Sequence, residues 1–280
     1  MILIADSGST KTTWCLAENG RAERCVTTQG INPFHQDMAA VSAIVAGELL
    51  PLLEGASPKA VFFYGSGCRT SKIPAMEQLL AKAFPTATRV EAHGDLLAAA
   101  RAVCGRSMGM AAILGTGANS CLYDGHTVVM NTPPLGYILG DEGSGAVLGR
   151  LFVNALFKGF LPKAVAEGFL ANTGLTLDSI IERVYREPLA NRFLASLSPH
   201  ILKRADCGEV RAIIVDNFRS FFRRNVAAYG HNDLPVGAVG SIAHHYAPFL
   251  AEAAAAEGYT MGRIMQSPMP GLVDYHALDG

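Results

Sequence analysis

The chain has 280 residues, of which 50% are hydrophobic and 17% charged, and its formal net charge is −1. This length is enough for one large domain or for two of ordinary size, each with its own core. The near-neutral balance, without a long basic run, argues against nucleic acid as the main partner. No apolar stretch approaches the roughly 20 residues that a membrane-spanning helix needs.

The cysteine pattern and the first residues bear on the compartment. The chain enters an apolar strand at once, without a basic segment and a cleavage site, so we expect no signal peptide. The six cysteines contain no CxxC pair, and we expect them to be reduced, mostly buried thiols of a cytoplasmic protein. They are Cys15, Cys25, Cys68, Cys104, Cys121 and Cys207.

The first predicted strand, residues 1–6, ends on Asp6 and runs into a loop of small and hydroxyl-bearing residues with one cation, Lys11. Two further strands, 13–18 and 21–28, are joined by Asn19-Gly20, a typical hairpin turn. Asp6 at a strand end could hold Mg²⁺ through water, because Mg²⁺ takes one or two carboxylates and keeps several waters. The alternative is a carboxylate that only initiates the turn.

The rest of the first half alternates helix and strand. Apolar spacing predicts helices at 37–53, 74–84 and 96–103 and strands at 60–64 and 88–92. A three-stranded hairpin followed by helix, strand, helix, strand and helix is the order of a ribonuclease H-like unit. Residues 105–109 are the expected domain junction, since a new apolar strand begins after them.

Asp95 follows Gly94 at a predicted helix start. It could be an ordinary N-terminal capping carboxylate or a general base that takes a hydroxyl proton. Asp141, which lies in the glycine-bracketed block 140–145 at the start of another helix, competes for the same role. The spacing alone does not decide between the two carboxylates.

The second half opens with the same pattern as the first. Strands at 110–114, 121–123 and 127–131 surround a small-residue loop, Gly115 to Ser120, and the turn Asp124-Gly125 lies 105 residues after Asn19-Gly20. A recurrence at a fixed offset indicates a duplicated unit, with a cleft between the two halves. Chance repetition of a common hairpin is the alternative.

The remainder is rich in helix up to about residue 229 and then returns to strand at 234–239. The strand runs into Gly237, Gly240 and Ser241, where a strand feeds a helix and an open α/β sheet commonly binds a ligand. A plain strand-to-helix turn has a similar composition. Neither glycine loop of the hairpins matches GxxxxGK[ST] or GxGxxG, so an ordinary P-loop and a dinucleotide fingerprint are not supported.

Four blocks together resemble one family. They are DSGSTKTT at 6–13, ILGTGANSCLYDG at 113–125, GYILGDEGSGAVLG at 136–149 and VGAVGSIA at 236–243. The sequence resembles the BadF/BadG/BcrA/BcrD ATPase family over essentially its whole length, and looks like the N-acetylglucosamine kinase branch. The resemblance implies the α/β actin-like ATPase fold, with two ribonuclease H-like domains, 1–107 and 108–280, around an interdomain cleft. It also implies that a final helix near 271–278 returns to the first domain.

The resemblance also implies roles for individual residues. Asp95 would be the catalytic base, and Asp6 remains the candidate ligand of Mg²⁺. The residues that would meet ATP are Gly8, Ser9, Thr10, Lys11 and Thr12 in the first phosphate loop, Gly115, Thr116 and Gly117 in the second, and Gly237, Gly240 and Ser241 at the adenosine. The residues that would hold the amino sugar are Asn32, Asp95, Thr116, Asn119 and Asp141.

The expected function is therefore ATP-dependent phosphorylation of an amino sugar, N-acetylglucosamine or a muramic-acid-type relative. One alternative is an ATPase that activates a partner enzyme, in which Cys104 and Cys121 would bridge a cluster between two chains. The other is a non-catalytic sugar sensor. The expected partner is a small sugar, with neither nucleic acid nor membrane; the sequence leaves the oligomeric state open, with a homodimer as one option.

Overall fold

The computed structural model describes residues 1–8 and 10–278, which form two compact units. Unit 1 comprises Met1–Ser107, Gly125–Val128 and the segment from Ser267 onward. Unit 2 comprises Met108–Asp124 and Val129–Gln266. Each unit has its own hydrophobic core.

Unit 1 is built on a five-stranded sheet in the order β3-β2-β1-β4-β5. Its strands are β1 (Ile2–Ser7), β2 (Lys11–Glu18), β3 (Arg21–Gln29), β4 (Ala60–Gly65) and β5 (Arg89–Gly94). Its first helices are α1 (Met38–Ile44), α2 (Leu50–Leu52), α3 (Ile73–Ala83) and α4 (Asp95–Cys104). A π-helical segment, Val45–Leu49, joins α1 to α2 within the single helix predicted for this region.

The strand pairing of unit 1 follows from its hydrophobic pattern. β1 pairs antiparallel with β2 and parallel with β4, which in turn pairs parallel with β5. All six residues of β4 are buried, as expected of a strand covered on both faces. The edge strand β3 is instead polar and mostly exposed. The carboxyl ends of β1, β4 and β5 therefore lie side by side.

Unit 2 repeats this topology. Its sheet has the order β8-β7-β6-β9-β10, with β6 antiparallel to β7 and parallel to β9. Its strands are β6 (Gly109–Leu114), β7 (Ala118–Tyr123), β8 (Val128–Met130), β9 (Val236–Val239) and β10 (Met261–Met265). The predicted fold class, α/β with two sheets of ribonuclease H-like strand order, is confirmed.

The helices of unit 2 lie mostly between β8 and β9. They are α5 (Gly136–Leu139), α6 (Gly145–Phe157), α7 (Lys163–Thr173), α8 (Leu177–Tyr185), α9 (Ala190–Ser196), α10 (Ser198–Leu202), α11 (Gly208–Phe221), α12 (Ser241–His245) and α13 (Ala247–Ala256). Helices α12 and α13 follow each other directly in the chain but are separate. The break falls at Tyr246, because Pro248 in the first turn of α13 cannot donate to the preceding turn.

The last helix, α14 (Met269–Tyr275), belongs to unit 1 and packs on α4. Gly271 lies so close to the backbone of Ala102 that a side chain there would overlap it. A short 3₁₀ turn, His276–Leu278, follows, and His276 is buried against Tyr64, whose hydroxyl lies 2.7 Å from its Nε2. Within the part of the chain that the structure describes, no helix combines the length and apolar character needed to cross a bilayer.

The expectation of six reduced cysteines is wrong at one pair. Cys15 on β2 and Cys25 on β3 are directly opposite each other and form a disulfide. Cross-strand neighbours have Cβ atoms close enough for such a bond, but their pairing depends on the register, which residue spacing does not reveal. The other four cysteines are free thiols.

This assignment predicts the outcome of thiol counting. Alkylation of the denatured protein without reductant should modify four cysteines, and alkylation after reduction should modify six, as read from the intact mass. In Cys25→Ser, all five remaining thiols should react without reductant. Six modified cysteines in the unreduced wild-type protein would show that the bond is absent in solution.

Candidate active site

Two carboxylates meet at the carboxyl edge of the unit 1 sheet. Asp6 on β1 is in register with Tyr64 on β4, which is in register with His93 on β5, and Asp95 follows two residues later. Burial and, after it, the negative charge of Asp95 raise the pKa of Asp6 to about 6, although the positive charge of Lys11 opposes the shift. The sheet of unit 1 thus brings Asp6, Asp95 and Lys11 close enough for their charges to interact.

Asp95 is the first residue of α4, and Gly94 is its N-cap. Burial raises the pKa of the Asp95 carboxyl, while hydrogen bonds from the backbone N–H groups of Leu96 and of Asp95 itself lower it. These N–H groups belong to the helix start, where no carbonyl of the helix is available to them. The carboxylate is therefore both desolvated and held in place.

Asn32 lies beside the loop that follows β4. Its side-chain oxygen accepts a hydrogen bond of 3.1 Å from the backbone N–H of Phe34. Gly67 has a φ of +75°, and a Cβ there would overlap this oxygen, so only glycine fits. Among the residues that the structure describes, none accepts a hydrogen bond from Asn32 Nδ2.

The first predicted phosphate loop divides into exposed and internal residues. The N–H of Gly8 donates to the carbonyl of Lys11 at 3.0 Å and closes the turn. Thr12 is fully buried, and its Oγ1 lies 2.6 Å from Ser7 Oγ and accepts from the N–H of Ile31. Gly8, Thr10 and Lys11 are exposed, whereas Thr12 supports the loop from below. Ser9 lies outside the described residues.

The second predicted loop is tied to the start of α6. The N–H of Gly115 donates to the carbonyl of Gly117 at 2.9 Å. The N–H groups of Gly145 and Ala146 donate to the carbonyls of Gly115 and Thr116 at 2.9 and 3.1 Å. The loop from Gly115 to Gly117 is therefore fixed by its backbone, and the side chain of Thr116 is not needed to hold it.

Asp141 lies against this second loop. A Cβ on Gly117 would come within 3.0 Å of Asp141 Oδ2, and the backbone N–H of Ala118 donates to the carboxylate. Burial raises the pKa of the Asp141 carboxyl, the Ala118 N–H lowers it, and the neighbouring Glu142 raises it. Asp141 also has a φ of +53°, a backbone conformation that aspartate and asparagine tolerate better than most residues.

Asn119 belongs to a polar network that the sequence did not indicate. Its Oδ1 accepts from the N–H of Ser120 at 2.9 Å and from Asn131 Nδ2 at 2.8 Å. Ser120 Oγ in turn lies 2.7 Å from the hydroxyl of Tyr229. Asn131 and Tyr229 come from distant segments, so no local pattern could have shown that they support Asn119.

Asn217 is a second support residue that the sequence analysis missed. It is buried in α11, accepts from the N–H of Gly143 at 3.0 Å and donates to the carbonyl of Ser144 at 3.3 Å. It therefore fixes the block that carries Asp141. The sequence did contain an indication of this role. Asn217 lies three residues after Ile214 and four before Phe221, which is the spacing of residues on the buried face of a helix.

Gly237 and Gly240, in and just after β9, differ from each other in their surroundings. Gly240 has a φ of +120°, and its N–H donates to the carbonyl of Met265 at 2.9 Å. A Cβ on Gly240 would overlap the carbonyl of Leu114, so this turn lies directly beside the end of β6 and its loop. Ser241 is exposed at the start of α12. Gly237 is buried within β9, opposite Ala111, and does not reach the turn.

Within unit 1 the structure thus brings together Asp6, Lys11 and Asp95, and places Asn32 at the loop after β4. Within unit 2 it brings together Gly115 to Gly117, Asp141 and Gly240. Among residues 1–8 and 10–278, no group of three or more histidine, cysteine or carboxylate side chains could form a metal cage. A cation held here would need ligands from outside the protein as well, which is the ordinary situation for Mg²⁺.

Comparison with solved structures identifies the family. A protein of Porphyromonas gingivalis named "putative N-acetylglucosamine kinase" is 48% identical to the chain and superimposes with a TM-score of 0.94, covering 100% of this chain and 99% of its own. The chain belongs to this sugar-kinase family. The predicted enzyme class is thereby confirmed.

More distant structures share the fold of this sugar kinase. A protein of Chromobacterium violaceum named "putative N-acetylglucosamine kinase" is 18% identical, with a TM-score of 0.70 over 98% of both chains. A ROK hexokinase of Thermus thermophilus is 16% identical, with a TM-score of 0.53 over 100% of this chain and 99% of its own. No protein-family model and no curated protein matches the chain.

The surroundings of Gly240 predict a large cost for any side chain. Gly240→Ala should lower the free energy of unfolding by about 2–4 kcal/mol, because it adds both backbone strain and overlap with Leu114. Gly230→Ala is the matched control: its φ is +70° but a Cβ there meets nothing within 4 Å, so it should cost only about 1 kcal/mol. Urea unfolding measures the stability of both variants. Equal losses of stability would contradict the close approach of Gly240 to the Leu114 carbonyl.

The raised pKa of Asp141 predicts a pH-dependent effect of Asp141→Asn. The native state binds the proton more tightly than the unfolded state, whose aspartate has its ordinary value of 3.8. The wild-type protein therefore loses stability as pH rises from about 4 through the raised pKa, whereas the asparagine variant has no such loss. Since the group is only half-buried, the gain of the variant should be only about 0.5 kcal/mol.

Urea unfolding of both proteins at pH 4 and pH 7.5 tests this sign. The stability of Asp141→Asn relative to wild type should increase between the two pH values. A difference that is constant, or that decreases at pH 7.5, would show that burial does not disfavour the Asp141 carboxylate.

Proposed function

We propose that the protein is an ATP-dependent amino-sugar kinase of the BadF/BadG/BcrA/BcrD ATPase type, acting on N-acetylglucosamine or a muramic-acid-type relative. The observation that carries the proposal is the desolvated carboxylate of Asp95, which acts on the pKa of Asp6 at the same edge of the unit 1 sheet. The Porphyromonas gingivalis relative, named for N-acetylglucosamine, supports the same substrate class. A cytoplasmic location agrees with the use of ATP.

Asp95 acts as the general base. The sugar hydroxyl oxygen forms a bond to the γ-phosphorus of ATP while the bond from that phosphorus to the bridging oxygen of ADP breaks, and Asp95 takes the hydroxyl proton. Because burial raises the pKa of Asp95, it is a stronger base than an exposed aspartate at neutral pH. The N–H groups at the start of α4 keep its carboxylate in one orientation.

Asp141 is assigned to sugar binding and not to proton transfer. Its carboxylate already accepts a hydrogen bond from the N–H of Ala118. The same carboxylate packs against Gly117 of the second loop. Thr116 and Asn119 belong to the same segment, and Asn32 is the corresponding polar group of unit 1. All of these side chains suit the hydroxyl and amide groups of an amino sugar.

The loops supply the contacts to ATP. Gly8, Ser9, Thr10 and Lys11 are assigned to the phosphates in unit 1, as are Gly115 to Gly117 in unit 2, because glycine-containing turns let an anion approach the backbone closely and Lys11 adds a positive charge. Gly240 and Ser241 are assigned to the adenosine. Thr12 and Gly237 are assigned to the support of these loops, since both are buried within strands.

The residues present fit Mg²⁺ at Asp6. The site offers one carboxylate with a second close by, and Mg²⁺ ordinarily completes such a set with waters and phosphate oxygens. When bound with ATP, the cation would neutralise charge on the phosphate oxygens. Asp6 would hold it, and the positive charge would also relieve the repulsion between Asp6 and Asp95.

The test is Asp95→Asn compared with Asp141→Asn in a coupled ADP-release assay over a panel of amino sugars. Asp95→Asn should lower kcat roughly 10²- to 10⁴-fold because the base is removed, while ATP affinity measured by calorimetry stays near wild type. Asp141→Asn should raise the KM for the sugar more than it lowers kcat.

Near-normal kcat in Asp95→Asn would exclude it as the base. A larger loss of kcat in Asp141→Asn than in Asp95→Asn would assign the base to Asp141. Failure of the wild-type protein to release ADP with every sugar of the panel would contradict the kinase itself.

A further inference from the structure

An arginine and a phenylalanine form an exposed pair close to Asn32, which is proposed above to bind the sugar. The guanidinium carbon of Arg69 lies 4.3 Å from the ring centroid of Phe34, and both side chains are exposed, Phe34 by 50%. The Phe34 ring also packs edge-on against His35, with 4.9 Å between the ring centroids. The pair therefore holds a positive charge in a defined place at the surface.

The backbone connects this pair to Asn32. Phe34 donates its N–H to Asn32 Oδ1, and a Cβ on Gly67 would touch both the Asn32 side chain and Phe34 Cβ. The N–H of Arg69 donates to the carbonyl of Gly67 at 2.9 Å. The loop that carries Arg69 is thus the one that packs against Asn32.

The same loop reaches the proposed base. The carbonyl of Cys68 lies 3.7 Å from the position of a Cβ on Gly94, the N-cap of α4. Burial raises the pKa of the Cys68 thiol to about 11, and the negative charges of Glu77 and then of Asp95 add to the rise. Arg69 follows Cys68 directly in the chain. It is therefore one residue away from a thiol on which the charge of Asp95 acts.

Nothing within the described chain neutralises Arg69. None of the ion pairs or hydrogen bonds among residues 1–8 and 10–278 uses its guanidinium, whereas Arg89 on β5 is paired with Glu91 at 2.7 Å. A cation–π contact at an exposed site orients the guanidinium but leaves its N–H edge free. That edge matches the two oxygens of a carboxylate better than any neutral group of a sugar.

We propose that Arg69, supported by Phe34, is a subsite for a carboxylate carried by the amino sugar. The inference rests on the proposed function and narrows its substrate class to acidic amino sugars, with neutral ones as poorer substrates. Asn32 and Asp95 contact the sugar ring, and Arg69 binds the acidic substituent beside them. A phosphate group has similar chemistry, so the test includes a sugar phosphate.

The experiment compares N-acetylglucosamine with N-acetylmuramic acid, which differs by a carboxylate-bearing ether substituent. The wild-type protein should have a higher kcat/KM for the acidic sugar than for the neutral one. The kcat/KM for the acidic sugar should decrease as the salt concentration rises. Arg69→Gln should lower the ratio of kcat/KM, acidic over neutral, roughly 10- to 100-fold, the range of a hydrogen bond to a charged group. Arg69→Lys should lose less, because it keeps the charge but not the planar edge.

Two further variants separate this role from a general effect of surface charge. Phe34→Leu keeps Arg69 but removes the ring that orients it, so the ratio should fall less than in Arg69→Gln. Lys82→Ala, which removes an exposed cation from the last turn of α3, should leave the ratio unchanged. Thermal unfolding of each variant checks that the fold is retained.

The outcomes distinguish the inference from the proposed function. If the wild-type protein phosphorylates neither sugar nor any other of the panel, the proposed function fails. If it phosphorylates N-acetylglucosamine but not the acidic sugar, or if Arg69→Gln lowers both kcat/KM values equally, the subsite is refuted and the kinase stands. If Arg69→Gln weakens inhibition by glucosamine 6-phosphate but leaves the ratio unchanged, Arg69 binds a phosphate and the carboxylate subsite is also refuted.

Discussion

The repulsion between two desolvated carboxylates, Asp6 and Asp95, is the constraint on which the unit 1 site depends. Desolvation of Asp6 and Asp95 costs free energy, and their mutual repulsion adds to it. The fold compensates locally, with N–H groups from the start of α4 at Asp95 and with Lys11 near Asp6. Such an arrangement is unfavourable for stability alone but places a basic oxygen and a candidate cation ligand together. A site built this way is a frequent mark of catalysis.

In unit 2, backbone contacts hold the two glycine loops in place. The loop from Gly115 to Gly117 is held by N–H groups of α6, and Gly240 lies against the carbonyl of Leu114. Neither contact uses a side chain that a ligand would need. Asn217 adds a buried amide that bonds Gly143 and Ser144 and fixes the block next to Asp141. The rigidity of this half comes from support residues, so its exposed groups remain free for binding.

The sequence predicted the strands and the positions of the carboxylates at their ends better than it predicted contacts between distant segments. Hydrophobic runs and glycine turns are local signals, and they located both sheets and the positions of Asp6 and Asp95. The Cys15–Cys25 bond depends on the register of β2 and β3, and the pair of Arg69 with Phe34 depends on how two loops pack. Residue spacing carries no information on either. Asn217 is intermediate, because a polar residue in a buried helical stripe is visible in the sequence while its partner is not.

Thr12 and Gly237 show why a motif assigns too many residues to a ligand. Both belong to blocks rich in small and hydroxyl-bearing residues, yet both lie within strands and face the interior. Along a strand, successive side chains point to opposite faces, so only part of a contiguous motif can reach one ligand. Thr12 uses its hydroxyl to join Ser7 to the backbone at Ile31, which fixes the exposed turn above it. Its substitution would therefore act on the shape of the loop, and a change in phosphate binding would follow indirectly from that shape.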